Sequence, residues 1–400
     1  MYDPSSLMRR RALIQAATGA AALGGLSLAP LVRAQSNAPI RIGLMLPYSG
    51  TFAQIGRAIE GGFRLALMQA QDRIGGRPFE IIKLDDESEP SKAVDNANKL
   101  VRRDKVDVIV GTVHSGVQMG IHKVARESGV LNLIPNAGVL AATRSLCAPN
   151  VFRTSFSNSQ PTLALGKPMM ERGLKKAVWI SWKYAAGTEA LEGFKESYTK
   201  AGGTILKELE LPFPNVEFQA YLTEIASLKP DATVSMFAGA AAGKFLMDYA
   251  AAGLKEKIPL WGSGFLTEGV LQAAGRSADG VMTTMHYSDV LDTPRNKEFR
   301  AAYLKAIKAE ADVYSVQGYD AALLLLQGAQ AVQGDLNQKL QLYKAMESAV
   351  IDSPRGRWTM SPSHNPVQDM YLRVVENGDN KVLGIAAKAL ADPGTGCKMA

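Results

Sequence analysis

From Ile40 onward, short apolar runs and longer segments with apolar residues at helical spacing take turns, and this alternation constrains the fold more than anything else in the chain. Ile40 to Leu46 is apolar and stops at Pro47-Tyr48-Ser49-Gly50; a helical pattern follows from Ile55 to Ala70. Phe79 to Leu84 reads as the next strand, Ser91 to Arg102 as a helix capped by Ser91, and Val108 to Val110 as a buried strand that hands over at Gly111 to another helix. Val130 to Ile134 ends in Pro135-Asn136-Ala137-Gly138. A second series begins at Val151. It places a helix from Pro161 to Arg172, strands at Ala177 to Trp182, Thr204 to Leu211, Thr233 to Phe237, Pro259 to Trp261 and Val281 to Met285, and helices between them. Helices dominate from Asn296 to Ala349, and the end alternates like strands about an Asn377-Gly378 hairpin turn. Strand-helix units joined by short loops predict an α/β protein with doubly wound parallel sheets, and 400 residues exceed one ordinary core, so two lobes are expected.

The first residues read differently. Arg9, Arg10 and Arg11 precede a mild Ala/Gly/Leu stretch, and Val32-Arg33-Ala34 supplies a small residue before a cleavage point. Residues 1–34 are therefore expected to be a secretory signal of the twin-arginine type, with a periplasmic mature chain starting near Gln35. No later stretch is long and apolar enough to cross a bilayer. The net charge of +7 falls to about +4 without the signal, and the basic residues are scattered, which excludes a nucleic-acid footprint. In an oxidising compartment Cys147 and Cys397 are expected to bond, tying a tail at 391–400 to the first lobe.

Two such lobes bind small molecules between them, beyond the carboxyl ends of their strands. The loops there are Tyr48-Ser49-Gly50, His114-Ser115-Gly116, Asn136-Ala137-Gly138, Lys183-Tyr184, Phe237-Ala238-Gly239 and Ser263-Gly264-Phe265. They offer hydroxyls, an amide, glycine-rich backbone and rings, with no metal cluster and no acid-base pair, so neither a cofactor nor catalysis is expected. Ser115 falls where its helix begins. It is either an ordinary N-cap or part of an anion site made from the free N–H groups of the first turn. Asp85, Asp86, Glu87 and Glu89 read as a solvated loop and helix start. Arg153 is a cleft cation or, preferably, a hinge salt bridge; Tyr287 and Gln317 reach the cleft or pack in the hinge. Trp182 and Trp261, at strand ends, are expected in the core.

LMLPYSG at 44–50, DDESEPSKAV at 85–94, VIVGTVHSG at 108–116, IPNAG at 134–138 and NVFRTSF at 150–156 resemble the periplasmic solute-binding proteins of ABC importers, in the branched-chain amino-acid (type I) class. The resemblance implies lobes joined by three crossovers that close like a hinge, here 38–154 plus 285–360 and 155–284 plus 361–390. It also implies that Ser115 holds a ligand carboxylate, that Tyr184 covers the ligand, and that a monomer delivers it to a membrane permease without entering the bilayer. Amino-acid binders of the class place a threonine where this chain has Gly138, and an acid near Gly264, where it reads Gly262-Ser263-Gly264-Phe265-Leu266. A buried ammonium lacking its acid costs several kcal/mol. WKYAAG at 182–187, FPNVEFQ at 213–219 and SHNPVQD at 363–369 further resemble the branch for aromatic acids such as benzoate and 4-hydroxybenzoate. The expected binding residues are Tyr48, His114, Ser115, Asn136, Ala137, Gly138, Tyr184, Phe237 and Phe265, with Asn136 and His114 meeting a ring hydroxyl or the second carboxylate oxygen. The alternatives are a branched-chain amino-acid or amide receptor, and a periplasmic ligand sensor.

Overall fold

Alternate residues of β1 (Ile40–Leu46) face opposite sides of a sheet covered on both, which is why the run is almost wholly apolar. A computed structural model describes residues 38–399, so the signal reading at 1–34 lies outside the described residues. β1 pairs in parallel with β2 (Phe79–Asp85) and β3 (Val108–Val110), and β4 (Leu131–Ile134) and β5 (Val151–Arg153) extend the sheet in the order β2-β1-β3-β4-β5.

The second sheet starts with β6 (Lys176–Lys183) and β7 (Thr204–Pro212) and continues through β8 (Ala232–Met236), β9 (Leu260–Ser263) and β10 (Met282–Met285), all parallel. β11 (Val350–Ser353) and β12 (Gly356–Met360) form a hairpin, and β13 (Pro366–Glu376) runs antiparallel to β12, to β10 and to β14 (Asp379–Leu390). The β13–β14 turn is the expected one: Asn377 and Gly378 have φ of 54° and 85°.

After β10 the chain returns to the first lobe. Helix Val313–Ala331 lies against helix Ala53–Gln69 at a distance only glycines permit. A Cβ on Gly62 would stand 1.8 Å from the Ser315 carbonyl oxygen, and one on Gly318 would stand 1.9 Å from that of Ile59. The chain passes from the first sheet to the second after β5 and leaves the second after β10; β11 and β12 then join the second sheet's edge through β13.

Several local expectations change. The helix expected from Pro161 to Arg172 is two short ones, Gln160–Leu163 and Gly166–Glu171. Pro168 has no N–H to give the Ala164 carbonyl and its ring crowds that group, so the helix cannot run through. Glu89, not Ser91, caps the helix Pro90–Asn98, its carboxylate accepting from the Ser91 amide at 3.1 Å. Arg153 is fully buried but forms no salt bridge among the described residues. It donates to the carbonyls of Ala137 and Val139, to Thr143 Oγ1 and to Asn365 Oδ1. Trp182 and Trp261 are buried in the core, as expected. Cys147 and Cys397 are bonded, with Arg144 paired to the buried Asp392 beside them at 2.9 Å. No helix among the described residues is long and apolar enough to cross a membrane.

The acidic loop departs furthest. Asp86 is completely buried, accepting from the Thr112 hydroxyl and from the Ser88 amide at 2.9 Å. Burial, partly offset by the Thr112 bond, pushes its carboxyl up to about 6. A folded-state value above the unfolded one means that the unfolded chain ionises first, so this group's contribution to stability falls as pH rises from about 4 to about 6. Asp86→Asn, which keeps two hydrogen bonds and cannot ionise, is therefore expected to match the wild type near pH 4 and to exceed it by about 2 kcal/mol at pH 7.5. Urea unfolding at both pH values measures this; an equal difference at each would show that ionisation is not the cause.

Candidate functional site

Strands of both sheets end toward one gap, and there residues from both lobes surround a small cleft, the place where α/β folds of this kind take their ligands. The first lobe contributes Phe52 and Ile55 from beyond β1, Val113 beyond β3, Asn136 and Gly138 beyond β4, and Phe156 and Asn158 from the first passage. The second contributes Tyr184 and Ala186 beyond β6, Met236 and Ala238 at the end of β8, and Phe265 beyond β9; Tyr314 arrives on the returning helix. None of these side chains carries a charge at neutral pH.

Rings form much of the wall. Phe265 lies 4.6 Å from Phe156 and, with its plane 18° from parallel, 6.1 Å from Tyr314. The Tyr314 hydroxyl is buried without a partner among the described residues, and burial holds it far above the usual phenol range, so it is an O–H donor still to be satisfied. Asn158 Nδ2 donates to Glu189 Oε2 at 2.7 Å and to Ser115 Oγ at 3.3 Å. Burial raises the Glu189 carboxyl, against the lowering pull of Asn158 and the Leu140 amide.

Four expected residues line the cavity: Asn136, Gly138, Tyr184 and Phe265. Three stand directly behind it. His114, rather than Ser115, caps the helix Ser115–Ser128, its Nδ1 accepting from the Gly116 amide at 3.1 Å. Its ring stacks on Tyr184 at 5.0 Å, and burial drops it to about 4, so it is neutral at physiological pH. Ser115 is the first helical residue, fully buried, with Asn158 between it and the cavity. Ala137 is buried, its amide bonded to the Thr112 carbonyl at 2.9 Å.

Two expected residues lie elsewhere. Side chains alternate along an extended chain, so Met236 and Ala238 face the cavity while Phe237 points into a core cluster with Trp182, Phe218 and Phe245. Tyr48 packs beneath the Lys83 ammonium at 4.3 Å. Of the undecided residues, Gln317 Oε1 accepts from Asn136 Nδ2 at 2.7 Å, whereas the buried Tyr287 hydroxyl donates to Asn296 Oδ1 at 2.8 Å and does not line the cleft. Glu268 follows the loop where amino-acid binders carry an acid, but its carboxylate is held by Arg373 at 2.5 Å and by the Val313 amide at 3.3 Å, and it does not line the cavity. Phe52, Ile55, Val113, Phe156, Asn158, Ala186, Met236 and Tyr314 escaped the sequence reading. Met236 and Ala238 carry a signal, the alternation just described; Tyr314 carries none, because nothing local says where its helix returns.

Residues 39–380 match the model of the periplasmic binding protein family. The chain belongs to that family. Among curated relatives of this periplasmic binding protein is a Leu/Ile/Val-binding protein homolog from Brucella abortus, 29% identical over 355 residues, covering 85% of this chain and 88% of the relative. Among solved structures, the solute-binding protein of an ABC transporter from R. palustris, in complex with benzoate, is 49% identical with a TM-score of 0.88, covering 90% of this chain and all of that one. The solute-binding protein from Rhodopseudomonas palustris BisB5, in complex with 3,4-dihydroxybenzoic acid, is 30% identical with a TM-score of 0.84, over 89% of this chain and 99% of that one. The family and these neighbours are receptors rather than enzymes.

Proposed function

We propose that this periplasmic binding protein captures a small aromatic carboxylate of the benzoate type between its lobes and delivers it, as a monomer, to an ABC permease in the inner membrane. The observation that carries the reading is the cavity itself: narrow, walled by Phe156, Phe265, Tyr184 and Tyr314, furnished with amides and a spare phenol, and without an acid to pair with an ammonium. A flat ring stacks against such walls, and neutral donors with the positive helix end behind Ser115 hold its carboxylate. In this reading Asn136, Asn158 and Tyr314 offer polar contacts, Tyr184 covers the ring, and Ser115 and His114 act from behind. The first lobe comprises 38–154 plus 285–360, the second 155–284 plus 361–390, and export follows the twin-arginine route.

Wild-type protein titrated with benzoate, 4-hydroxybenzoate and leucine tests this. At a hundredfold excess over Kd a bound ligand adds about 2.7 kcal/mol to stability. We expect that gain from a benzoate and none from leucine. The names of the curated relatives favour the opposite outcome, a leucine response with no benzoate response, which would overturn the aromatic assignment.

A further inference from the structure

Behind the cavity, Asn136 is the first member of a buried chain of three neutral groups. Its Nδ2 donates to Gln317 Oε1 at 2.7 Å, and Gln317 Nε2 lies 3.3 Å from His286 Nε2. All three are buried, and the His286 ring lies near-parallel to that of Phe156, at 19° and 5.9 Å. His286 Nδ1 has no hydrogen-bond partner among the described residues. Burial, with the guanidiniums of Arg355 and Arg373 facing it, keeps this imidazole uncharged.

A neutral imidazole carries its proton on either nitrogen, and a carboxamide turned over exchanges donor and acceptor within one outline. The chain therefore has two complete arrangements. In the first, Asn136 donates inward, its carbonyl faces the cavity, and the His286 proton sits unused on Nδ1. In the second, His286 Nε2–H donates to Gln317, Gln317 donates to the Asn136 carbonyl, and the Asn136 N–H groups face the cavity. A carboxylate has acceptors only, so it complements the second arrangement alone.

We propose that Gln317 and His286 are positioning residues that let Asn136 present either polarity, and that an aromatic carboxylate selects the arrangement with the amide N–H outward. This rests on the ligand class proposed above. Nitrogen-15 spectra of histidine-labelled wild type decide it, since the chain has four histidines and His286→Gln identifies the signal. With benzoate bound, the His286 proton belongs on Nε2. In parallel, Gln317→Glu supplies acceptors only and locks the Asn136 carbonyl outward. It should weaken benzoate at least tenfold while leaving benzamide, which brings its own N–H, within threefold. Benzoate bound with the proton on Nδ1, or equal losses for the two ligands, overturns the inference alone. Wild type that binds no benzoate overturns the ligand class and this inference with it.

Discussion

Gly138→Thr is expected to lower benzoate affinity at least a hundredfold, about 2.7 kcal/mol. A Cβ at this position would lie 2.3 Å from Asn158 Oδ1, 2.7 Å from the Asn158 backbone nitrogen and 2.8 Å from the Phe156 ring. The side-chain oxygen can swing aside; the backbone cannot, because the Asn158 amide donates to the Gly138 carbonyl at 2.8 Å. The passage after β5 must retreat, taking Phe156 away from Phe265 and Asn158 away from Ser115. One wall of the slot moves as a unit, which is why a distant consequence is expected from one side chain. Calorimetric titration measures the loss, and a Kd within threefold of wild type would show that this passage does not shape the ligand site.

The largest effect on stability is expected at Arg373. From β13 it reaches Glu268 Oε1 at 2.5 Å, the Tyr287 carbonyl at 2.7 Å and Thr283 Oγ1 at 3.1 Å, with no exposed atom of consequence. Arg373→Met leaves Glu268 buried without its counter-charge, and losing one partner of such a pair costs about 3–5 kcal/mol. The doubly substituted Arg373→Met, Glu268→Gln chain should recover part of that, because the orphaned charge is gone. Urea unfolding of the three chains checks both statements. A single-variant loss below about 1 kcal/mol would mean that Glu268 finds another partner or is already protonated in the wild type.

The fold was legible because the alternation of apolar runs and helical spacing is a local property, and so was the hairpin at Asn377-Gly378. The site was legible where a strand's end determines it: Asn136, Gly138, Tyr184 and Phe265 each follow a parallel strand directly. It was not legible where distance along the chain decides. Tyr314 enters on a helix whose seat is set by Gly62 and Gly318, and Phe156 and Asn158 enter on a passage whose path depends on both lobes. Asp86 failed for a related reason, since four acids in five positions read as solvated until Thr112 is known to stand opposite one of them. Phe237 is a plainer lesson: a ring beside a cleft points away from it when its neighbours on either side point in.

The seating of helix Val313–Ala331 on helix Ala53–Gln69, and the bond between Cys147 and Cys397, 250 residues apart, also bear on biosynthesis. A ribosome adding roughly 5–20 residues per second delivers the later partner some 10–50 s after the earlier one. The nascent N-terminal half thus waits with its groove for the returning helix uncovered until that helix has been made. Covering that groove is accordingly a late step for the residues made earliest.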